Sequence, residues 1–392
     1  MMPWVHLHID TNGFVKACCN ANITFGNINR QTLDEIWNGK SIQKFRKSLL
    51  AGKRDVRCSS CFSKEEAGKN SMRTETLEKF SSRKVWVDHT DSNGYSAESK
   101  PIYLDIRFNN LCNLRCRTCW HGASSSWFEE AKELKTHQGK KAVIAATEDT
   151  ASLIDQLLNA GIELEEIYFA GGEPLMMKEH YDLLEKLVEI GNTNVHLRYN
   201  TNLSKLELKR RNALSLWKKF KKVTVSASID GLGPQAEYVR KGLKWSIFIE
   251  NMKIIKSELP HVQLEVAPTI SIFNVHTLGV LHRYFVDEGL IHINAVYLNL
   301  LSRPDYYNIK VLPKELKQKA QFSLTEHMLW LEEMGADESL ISEFQSVFLF
   351  MNQEDWSKKI PNLRKNLAVL DEMRYESFQD VFPELKPILN LV

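Results

Sequence analysis

Long apolar runs, a strong net charge and paired histidine motifs are all missing from this sequence of 392 residues. No stretch reaches the roughly 18 apolar residues of a membrane-spanning helix, which excludes a transmembrane span. The 51 basic and 49 acidic residues leave a net charge of +2, so no overall field favours nucleic acid or an acidic membrane as a partner. The twelve histidines form no HxxxH or HExxH pair, so we expect no separate histidine metal site.

The first ten residues, MMPWVHLHID, lack the basic region and the apolar run of a signal peptide, and we expect a cytoplasmic chain. Cysteine is scarce as well, with seven in the whole sequence. A secreted disulfide scaffold would be shorter and would spread an even number of cysteines through its loops. Here the cysteines form three tight groups, which indicates metal binding: Cys18 and Cys19, Cys58 and Cys61, and Cys112, Cys116 and Cys119.

Residues 101–303 alternate short apolar runs with helical stretches, which predicts parallel strands joined by right-handed crossovers. Six such units are too few for a closed eight-stranded barrel, so the sequence predicts an open, partial barrel or a doubly wound sheet. In both folds the chemistry belongs at the carboxyl ends of the strands. The predicted strands are IYLDIRF, EIYFAGG, VHLRYNTN, KVTVSASID, QLEVAPTIS and INAVYLNL, and the predicted helices are 124–137, 148–160, 177–190, 205–219, 244–258 and 276–289.

The segments on either side of this barrel differ from it in pattern. In residues 1–62, WVHLHID and GFVKACC read as strands around a TNG turn, and Thr32 with Glu35 forms a capping box for a following helix. Residues 63–100 are polar and read as a linker. We therefore predict four segments: a cysteine-rich module at 1–75, a linker at 76–100, the barrel at 101–303 and a helical C-terminal extension at 304–392.

The spacing C-x3-C-x2-C in NNLCNLRCRTCW, residues 109–120, places three thiolates around one metal centre directly after the first barrel strand. A structural zinc site takes four protein ligands, and so does an ordinary [4Fe–4S] cube. His121 lies too near along the chain to chelate easily together with the cysteines. Three cysteines therefore leave one iron of a cube open to a substrate or cofactor, and the alternative is a zinc knuckle or an inert buried triplet.

This triplet, with Asn113 after its first cysteine, resembles the radical S-adenosylmethionine superfamily. The resemblance implies a partial (β/α)6 barrel and a [4Fe–4S] cluster whose open iron binds the amino and carboxylate groups of S-adenosylmethionine. It further implies reductive cleavage of S-adenosylmethionine to a 5′-deoxyadenosyl radical, which abstracts hydrogen from a substrate. It also implies an electron donor such as flavodoxin or ferredoxin.

The stretch FAGGEPL at the end of the second strand is similar to the superfamily's GGE motif. Glycines let backbone carbonyls approach a ligand, and a carboxylate pairs with an ammonium group; a plain glycine turn with a capping acid is the alternative. The resemblance implies roles in binding S-adenosylmethionine for a set of residues at strand ends: Gly171, Gly172, Glu173, Asn202, Ser228, Arg240 and Trp120. Relatives carry an aromatic residue before the last cysteine, where this chain has Thr118, so Trp120 is the candidate for adenine.

The other four cysteines lie in a segment that resembles the SPASM/twitch modules, which bind auxiliary iron–sulfur clusters and usually follow the barrel. The alternative is a structural zinc site with four thiolates. Cys18, Cys58 and Cys61 are the safer ligands, because adjacent residues on a strand point to opposite faces and Cys19 needs a bent backbone to join them. A unit this small has little core and should depend on its metal for stability.

The resemblance implies an enzyme of oxidoreductase or transferase type, acting on a peptide or protein, because an auxiliary cluster most often accompanies that chemistry. The alternatives are the same chemistry on a small molecule, such as alcohol oxidation or nucleotide modification, and a non-catalytic metal-binding module. The basic stretch at 205–223 could suggest nucleic acid, but it lies where a barrel helix belongs, with its charges facing solvent.

Overall fold

The computed structural model describes residues 1–66, 70–137, 139–159 and 164–390. Ala160, at the end of a predicted helix, residues 67–69 of the predicted module and residues 391–392 of the predicted extension lie outside the described residues. The strands are β1 (His6–Ile9), β2 (Phe14–Cys18), β3 (Ala21–Asn27), β4 (Tyr103–Ile106), β5 (Arg115–Cys116), β6 (Glu166–Phe169), β7 (His196–Thr201), β8 (Glu207–Leu208), β9 (Arg211–Asn212), β10 (Lys222–Ala227), β11 (Arg240–Lys241), β12 (Val262–Val266), β13 (Thr269–Ile270) and β14 (Asn299–Leu300).

The helices are α1 (Met2–Val5), α2 (Leu33–Trp37), α3 (Lys40–Leu50), α4 (Ser59–Glu66), α5 (Met72–Lys79), α6 (Lys84–Asp88), α7 (Phe128–Glu133), α8 (Thr150–Asn159), α9 (Lys178–Glu189), α10 (Ala213–Trp217), α11 (Pro234–Val239), α12 (Trp245–Glu258), α13 (Leu278–Asp287), α14 (Lys314–Glu333), α15 (Glu338–Asn352), α16 (Ile360–Arg374), α17 (Phe378–Val381) and α18 (Pro387–Asn390). From β4 onward strands alternate with helices, and the C-terminal part is helical. The α/β class with an open, partial barrel is therefore confirmed.

The chain divides into two compact units. The first comprises Met1–Leu111, Val143–Tyr199 and Glu207–Val223, and the second comprises Cys112–Ala142, Asn200–Leu206 and Thr224–Val392. In the first unit the strand order is β7-β6-β4-β1-β2-β3. Strand β1 lies parallel to β4, with His8 beside Asp105, and β2 and β3 follow as antiparallel strands. The N-terminal segment therefore continues the same sheet as the first barrel strands.

The two faces of this sheet differ sharply in chemistry. Leu7, Leu104, Ile167 and Leu197 stand side by side on one face and are all buried. The next row along the strands, on the opposite face, is polar: His8, Asp105, Tyr168 and Arg198. The apolar face is what helices of an α/β fold cover, so the polar face is the one left for binding.

The segment expected to be a polar linker carries helices instead. Helix α5 begins at a capping box formed by Ser71 and Thr74, and α6 follows it closely. Phe80, between these helices, is buried and stacks on Tyr103 of β4 in a cluster with Trp4. Only a few apolar residues make these contacts, so the composition of this segment as a whole remains polar. The boundaries of the four predicted segments stay a prediction.

The helix expected over residues 205–219 is short. Strands β8 and β9 form a hairpin there, with Lys209 in the left-handed region at φ 57°, and only α10 is helical. Asn212 explains where the helix begins, because its side chain accepts a hydrogen bond from the backbone N–H of Ser215. The capping box of Thr32 and Glu35 is confirmed, but its helix ends at Trp37 and restarts as α3 after Gly39.

The second unit contains the remaining strands and the C-terminal helices. Strand β10 neighbours β12, and the sixth predicted strand is reduced to the parallel pair β13–β14 and a bridge between Val266 and Val296. The two longest C-terminal helices, α14 and α15, pack against each other. Among the described residues, none of the helices is both long enough and apolar enough to cross a membrane.

Candidate metal and cofactor sites

The loop with Cys112, Cys116 and Cys119 lies in the second unit, and all three side chains are partly accessible thiols. The backbone N–H of Cys119 donates to the carbonyl of Cys116 at 3.0 Å, which folds the loop back on itself. Burial, together with the charges of Cys116 and Cys112, raises the pKa of Cys119 to about 12. The three sulfurs therefore lie within electrostatic range of one another, in a setting that needs a cation to keep them as thiolates.

Asn113 and Asn202 hold the first cysteine of the loop. Asn113 donates to the Ser204 hydroxyl at 2.9 Å and accepts from the Asn202 amide at 3.1 Å. The same Asn202 amide nitrogen lies 3.8 Å from the Cys112 sulfur. Asn202 was predicted as a cofactor-binding residue, and the structure places it beside Asn113, the residue that follows the first cysteine, and near the Cys112 sulfur.

Three consecutive serines support the loop in a way that the sequence analysis missed. The Ser126 hydroxyl donates to the Cys112 carbonyl at 2.6 Å, and the Ser124 hydroxyl donates to the Leu114 carbonyl at 2.6 Å. The Ser125 hydroxyl accepts from the Cys112 N–H at 3.2 Å. A run of serines directly after a cysteine loop was a usable signal, since short hydroxyl side chains bond readily to nearby backbone.

The GGE turn lies in the first unit and packs on the residues that precede the cysteine loop. Gly171 and Gly172 have φ values of +78° and +49°, and a Cβ on Gly172 would lie 2.4 Å from the Leu111 carbonyl oxygen. The Glu173 N–H donates to that same carbonyl at 2.7 Å. The carboxylate of Glu173 is buried and accepts from the Leu175 N–H at 3.1 Å, so it also caps the following turn.

Arg240 lies beside both an acid and a cysteine. Its Nε is 2.9 Å from Asp230 Oδ2, and a terminal nitrogen of its guanidinium is 4.0 Å from the Cys116 sulfur. Asp230 is fully buried and also accepts from the Thr269 N–H at 2.7 Å. Burial lowers the pKa of Arg240, but the charges of Asp230 and Cys116 outweigh it and raise the pKa overall. A permanent positive charge therefore stands next to the middle cysteine.

The last two predicted cofactor residues are accessible. Ser228 is half-buried, and its backbone N–H donates to the Thr201 carbonyl at 2.8 Å. Trp120 is 51% exposed, which is high for a tryptophan and leaves a ring face free for an aromatic partner.

Of the four module cysteines, Cys18, Cys58 and Cys61 act on one another electrostatically, and Cys19 has a different set of charged neighbours. Burial and then the charge of Cys18, with a further contribution from Cys61, raise the pKa of Cys58 to about 11, so these three sulfurs lie close together. Cys18 is the last residue of β2, and Cys19 begins the turn after it. Burial and then the charge of Asp105 raise the pKa of Cys19 to about 12, which Arg107 opposes. Cys19 therefore lies within electrostatic range of Asp105 and Arg107, as well as of Cys18, and its side chain is exposed.

Two family models match the chain. Residues 106–273 match the radical SAM superfamily, where SAM is S-adenosylmethionine, and residues 1–62 match SPASM, an iron–sulfur cluster-binding domain. The resemblance of residues 106–273 to the radical SAM superfamily is therefore confirmed. The predicted N-terminal placement of the auxiliary module is confirmed, and so are the cofactor types: a [4Fe–4S] cluster, S-adenosylmethionine and auxiliary iron–sulfur.

Solved structures bound to S-adenosylmethionine resemble this chain only distantly. Native anSMEcpe with bound AdoMet is 18% identical over 60% of this chain and 62% of its own, with a TM-score of 0.44. SuiB of Streptococcus suis, bound to S-adenosylmethionine, is 14% identical over 85% of this chain and 69% of its own, with a TM-score of 0.40. The chain thus spans less than two thirds of anSMEcpe, and likenesses this weak carry no argument about function. No curated protein sequence matches the chain.

Cysteine thiolates can hold either a single metal ion or an iron–sulfur cluster. Within the described residues, no three Cys, His, Asp or Glu side chains are grouped so that they could hold one metal ion. A zinc ion needs all of its donors at roughly 2.0–2.3 Å from one point. In a [4Fe–4S] cube each thiolate binds a different iron, so the sulfurs stand farther apart.

Proposed function

We propose that this protein is an enzyme that reductively cleaves S-adenosylmethionine and abstracts a hydrogen atom from a peptide or protein substrate. The observation that carries the proposal is the loop of Cys112, Cys116 and Cys119 with Asn202 at the first sulfur, inside a radical SAM domain. When bound, the reduced cluster supplies one electron to the sulfonium, and a 5′-deoxyadenosyl radical and methionine result. The peptide class follows from the second cluster-binding domain at residues 1–62, because auxiliary clusters most often accompany peptide modification.

In this proposal the three loop cysteines hold the cluster and leave one iron without a protein ligand. Asn202 holds the loop near Cys112, and Arg240 places a positive charge near Cys116. Positive charge near a cluster sulfur favours the reduced state, because it offsets the added electron. Trp120 offers its exposed ring to adenine, and Ser228 offers a hydroxyl.

The electron comes from a donor such as flavodoxin or ferredoxin, and we place the protein in the cytoplasm.

Glu173→Gln tests the proposed S-adenosylmethionine site. Glutamine keeps a carbonyl that can accept from Leu175 N–H, so the turn should survive while the negative charge is lost. A charge-assisted bond to the ammonium is worth about 1.5–3 kcal/mol, so affinity should fall by about 10–150-fold. Calorimetry of S-adenosylmethionine binding to the reconstituted protein measures this loss.

Glu179→Gln is the matched control for that experiment. Glu179 lies six residues further on, at the start of α9, and its carboxylate is half-buried, 3.4 Å from the Asn109 amide. This variant should bind S-adenosylmethionine as the unaltered protein does. Equal affinity in Glu173→Gln would leave the GGE stretch as an ordinary turn.

The pair Cys18→Ser and Cys19→Ser tests which thiols hold the auxiliary cluster. Because Cys18 lies with Cys58 and Cys61 while the charged neighbours of Cys19 include Asp105 and Arg107, only the first variant should lose iron. The expected loss is about four iron and four sulfide per chain, since one cube is removed. Iron and acid-labile sulfide analysis of both variants gives the answer, and an equal loss in Cys19→Ser would make Cys19 the fourth ligand.

A further inference from the structure

The middle cysteine of the loop lies on a two-stranded ribbon. Strand β5 pairs antiparallel with β11, so that Cys116 stands opposite Arg240 and Arg115 opposite Lys241. The next residue, Arg117, donates its backbone N–H to the Val239 carbonyl at 2.7 Å. The position of the Cys116 backbone therefore depends on whatever holds this ribbon.

Two carboxylates from the C-terminal helical part hold both strands of the ribbon. The Arg117 side chain is 0% exposed and donates to Asp371 at 2.6 Å and to Glu376 at 2.8 Å. On the other strand, Lys241 donates to Glu376 at 2.9 Å, and the Tyr238 hydroxyl donates to Asp371 at 2.6 Å. The guanidinium of Arg117 also lies 3.7 Å from the centre of the Tyr238 ring.

A second anchor acts on the other side of Cys116. Arg374, which is 0% exposed, donates to Glu130 at 2.7 Å, and Glu130 pairs with Arg115 at 2.9 Å. Arg115 and Arg117 are the two residues that flank Cys116, so the C-terminal part reaches the loop on both sides of this cysteine. The two fully buried cations, Arg117 and Arg374, are each neutralised by carboxylates, as buried charges require.

The backbone conformation at the end of α16 places Arg374 and Glu376 where they make these contacts. Tyr375 is left-handed at φ 53°, a costly conformation for a residue other than glycine, and its side chain is almost fully exposed. The turn at Tyr375 follows Arg374 and precedes Glu376, and both neighbours bind the loop network. Strain of this kind persists only where surrounding contacts hold it.

We propose that Asp371, Arg374 and Glu376 are positioning residues for the cluster loop, and that they fix Cys116 through Arg117, Lys241 and Glu130. This inference rests on the proposed function, in which Cys116 is a cluster ligand. The three residues lie outside residues 106–273, the part that matches the superfamily model, so the C-terminal extension completes the cluster site of this chain. Groups that orient a ligand control how firmly a metal centre is held.

The test compares Glu376→Gln with Glu354→Gln. Asp371 remains in the first variant to neutralise Arg117, so the fold should survive. Glu354 is the control because it also belongs to the C-terminal part and also pairs with a buried cation, Lys310, at 2.7 Å. Its other bonds within the described part of the chain go to Lys317 and Trp356, and none of them reaches the ribbon. Lys241→Gln is a second test variant, which removes the other partner of Glu376.

Three measurements on the full chain separate this inference from the proposed function. Hydrogen exchange, measured before any iron is added, should show faster exchange at residues 115–117 in Glu376→Gln and Lys241→Gln only. After reconstitution, a chelator should strip iron from the loop cluster about tenfold faster in these two variants, because groups that orient a metal ligand contribute roughly 10–100-fold to metal affinity. The electron paramagnetic resonance signal of the reduced cluster should also change in them.

Each outcome decides the matter. Unchanged hydrogen exchange at residues 115–117, or an equal change in Glu354→Gln, would overturn the proposal that these residues position the ribbon. Faster exchange with unaltered iron loss and an unaltered signal would show that the ribbon does not position Cys116, which also overturns the inference. Failure of the unaltered chain to take up a cluster would instead refute the proposed function, whatever the exchange data show.

Discussion

Replacement of Cys112, Cys116 and Cys119 by alanine should abolish 5′-deoxyadenosine production and leave a folded protein. The three thiols are the proposed ligands of the cluster that supplies the electron, and in the described residues no other thiol lies in this loop. Without that electron the sulfonium of S-adenosylmethionine is not cleaved, so product should fall to the level of a protein-free control.

The fold should survive this change because the loop is held by groups other than the thiols. Ser126 binds the Cys112 carbonyl, Ser124 binds the Leu114 carbonyl, and Arg117 is bound by two carboxylates. Circular dichroism and thermal unfolding of the triple variant should therefore stay close to those of the unaltered protein.

The experiment measures 5′-deoxyadenosine by chromatography under dithionite, together with iron content. Cys19→Ala is the matched control, because Cys19 is a thiol of the N-terminal module whose charged neighbours are Asp105, Arg107 and Cys18, none of which belongs to the loop. The control should keep full cleavage. Continued production of 5′-deoxyadenosine by the triple variant would refute the assignment of this loop.

The double variant Cys58→Ala/Cys61→Ala should lose the auxiliary iron, keep reductive cleavage of S-adenosylmethionine and lose product formation. These two cysteines lie close to Cys18 in the first unit, and the loop cysteines belong to the second, so the two centres should assemble independently. About four of the iron atoms should disappear, since one cube is lost.

The structure changes the effect that we expect the Cys58→Ala/Cys61→Ala variant to have on the stability of residues 1–62. We expected from the sequence that residues 1–62 depend on their metal, but β1 is parallel to β4. Leu7 in β1 is buried, and so are Trp4 and Val5 just before it. These contacts hold the N-terminal strands without a cluster. The loss of order should be confined to the segment of Cys58 and Cys61, including α4, and hydrogen exchange would show it.

An unchanged iron count in the double variant would indicate zinc at these cysteines. Loss of both 5′-deoxyadenosine and product would mean that the two centres are structurally coupled. Either result contradicts an independent auxiliary iron–sulfur cluster.

Local sequence signals predicted much of this protein because they depend on short-range chemistry. The strand around His6–Ile9, the capping box of Thr32 and Glu35, and the alternation of strands and helices after residue 101 all follow from spacing within a few residues. The three-cysteine loop was equally visible. The helix at 205–219 was wrong because the Asn212 cap, a local signal, outweighs the helical pattern before it.

Contacts between distant residues could not be read from the sequence. Arg117 looked like one of many charged residues, and its partners Asp371 and Glu376 lie more than 250 positions away. Phe80, in a polar segment, gave no sign that it stacks on Tyr103.

Iron and acid-labile sulfide analysis of the anaerobically reconstituted, unaltered protein tests the central claim most directly. Two cubes, one at the loop and one at the N-terminal cysteines, predict about seven or eight iron and as many sulfide per chain. Zinc in place of iron, with no acid-labile sulfide, would contradict the account and leave a metal-binding module without radical chemistry.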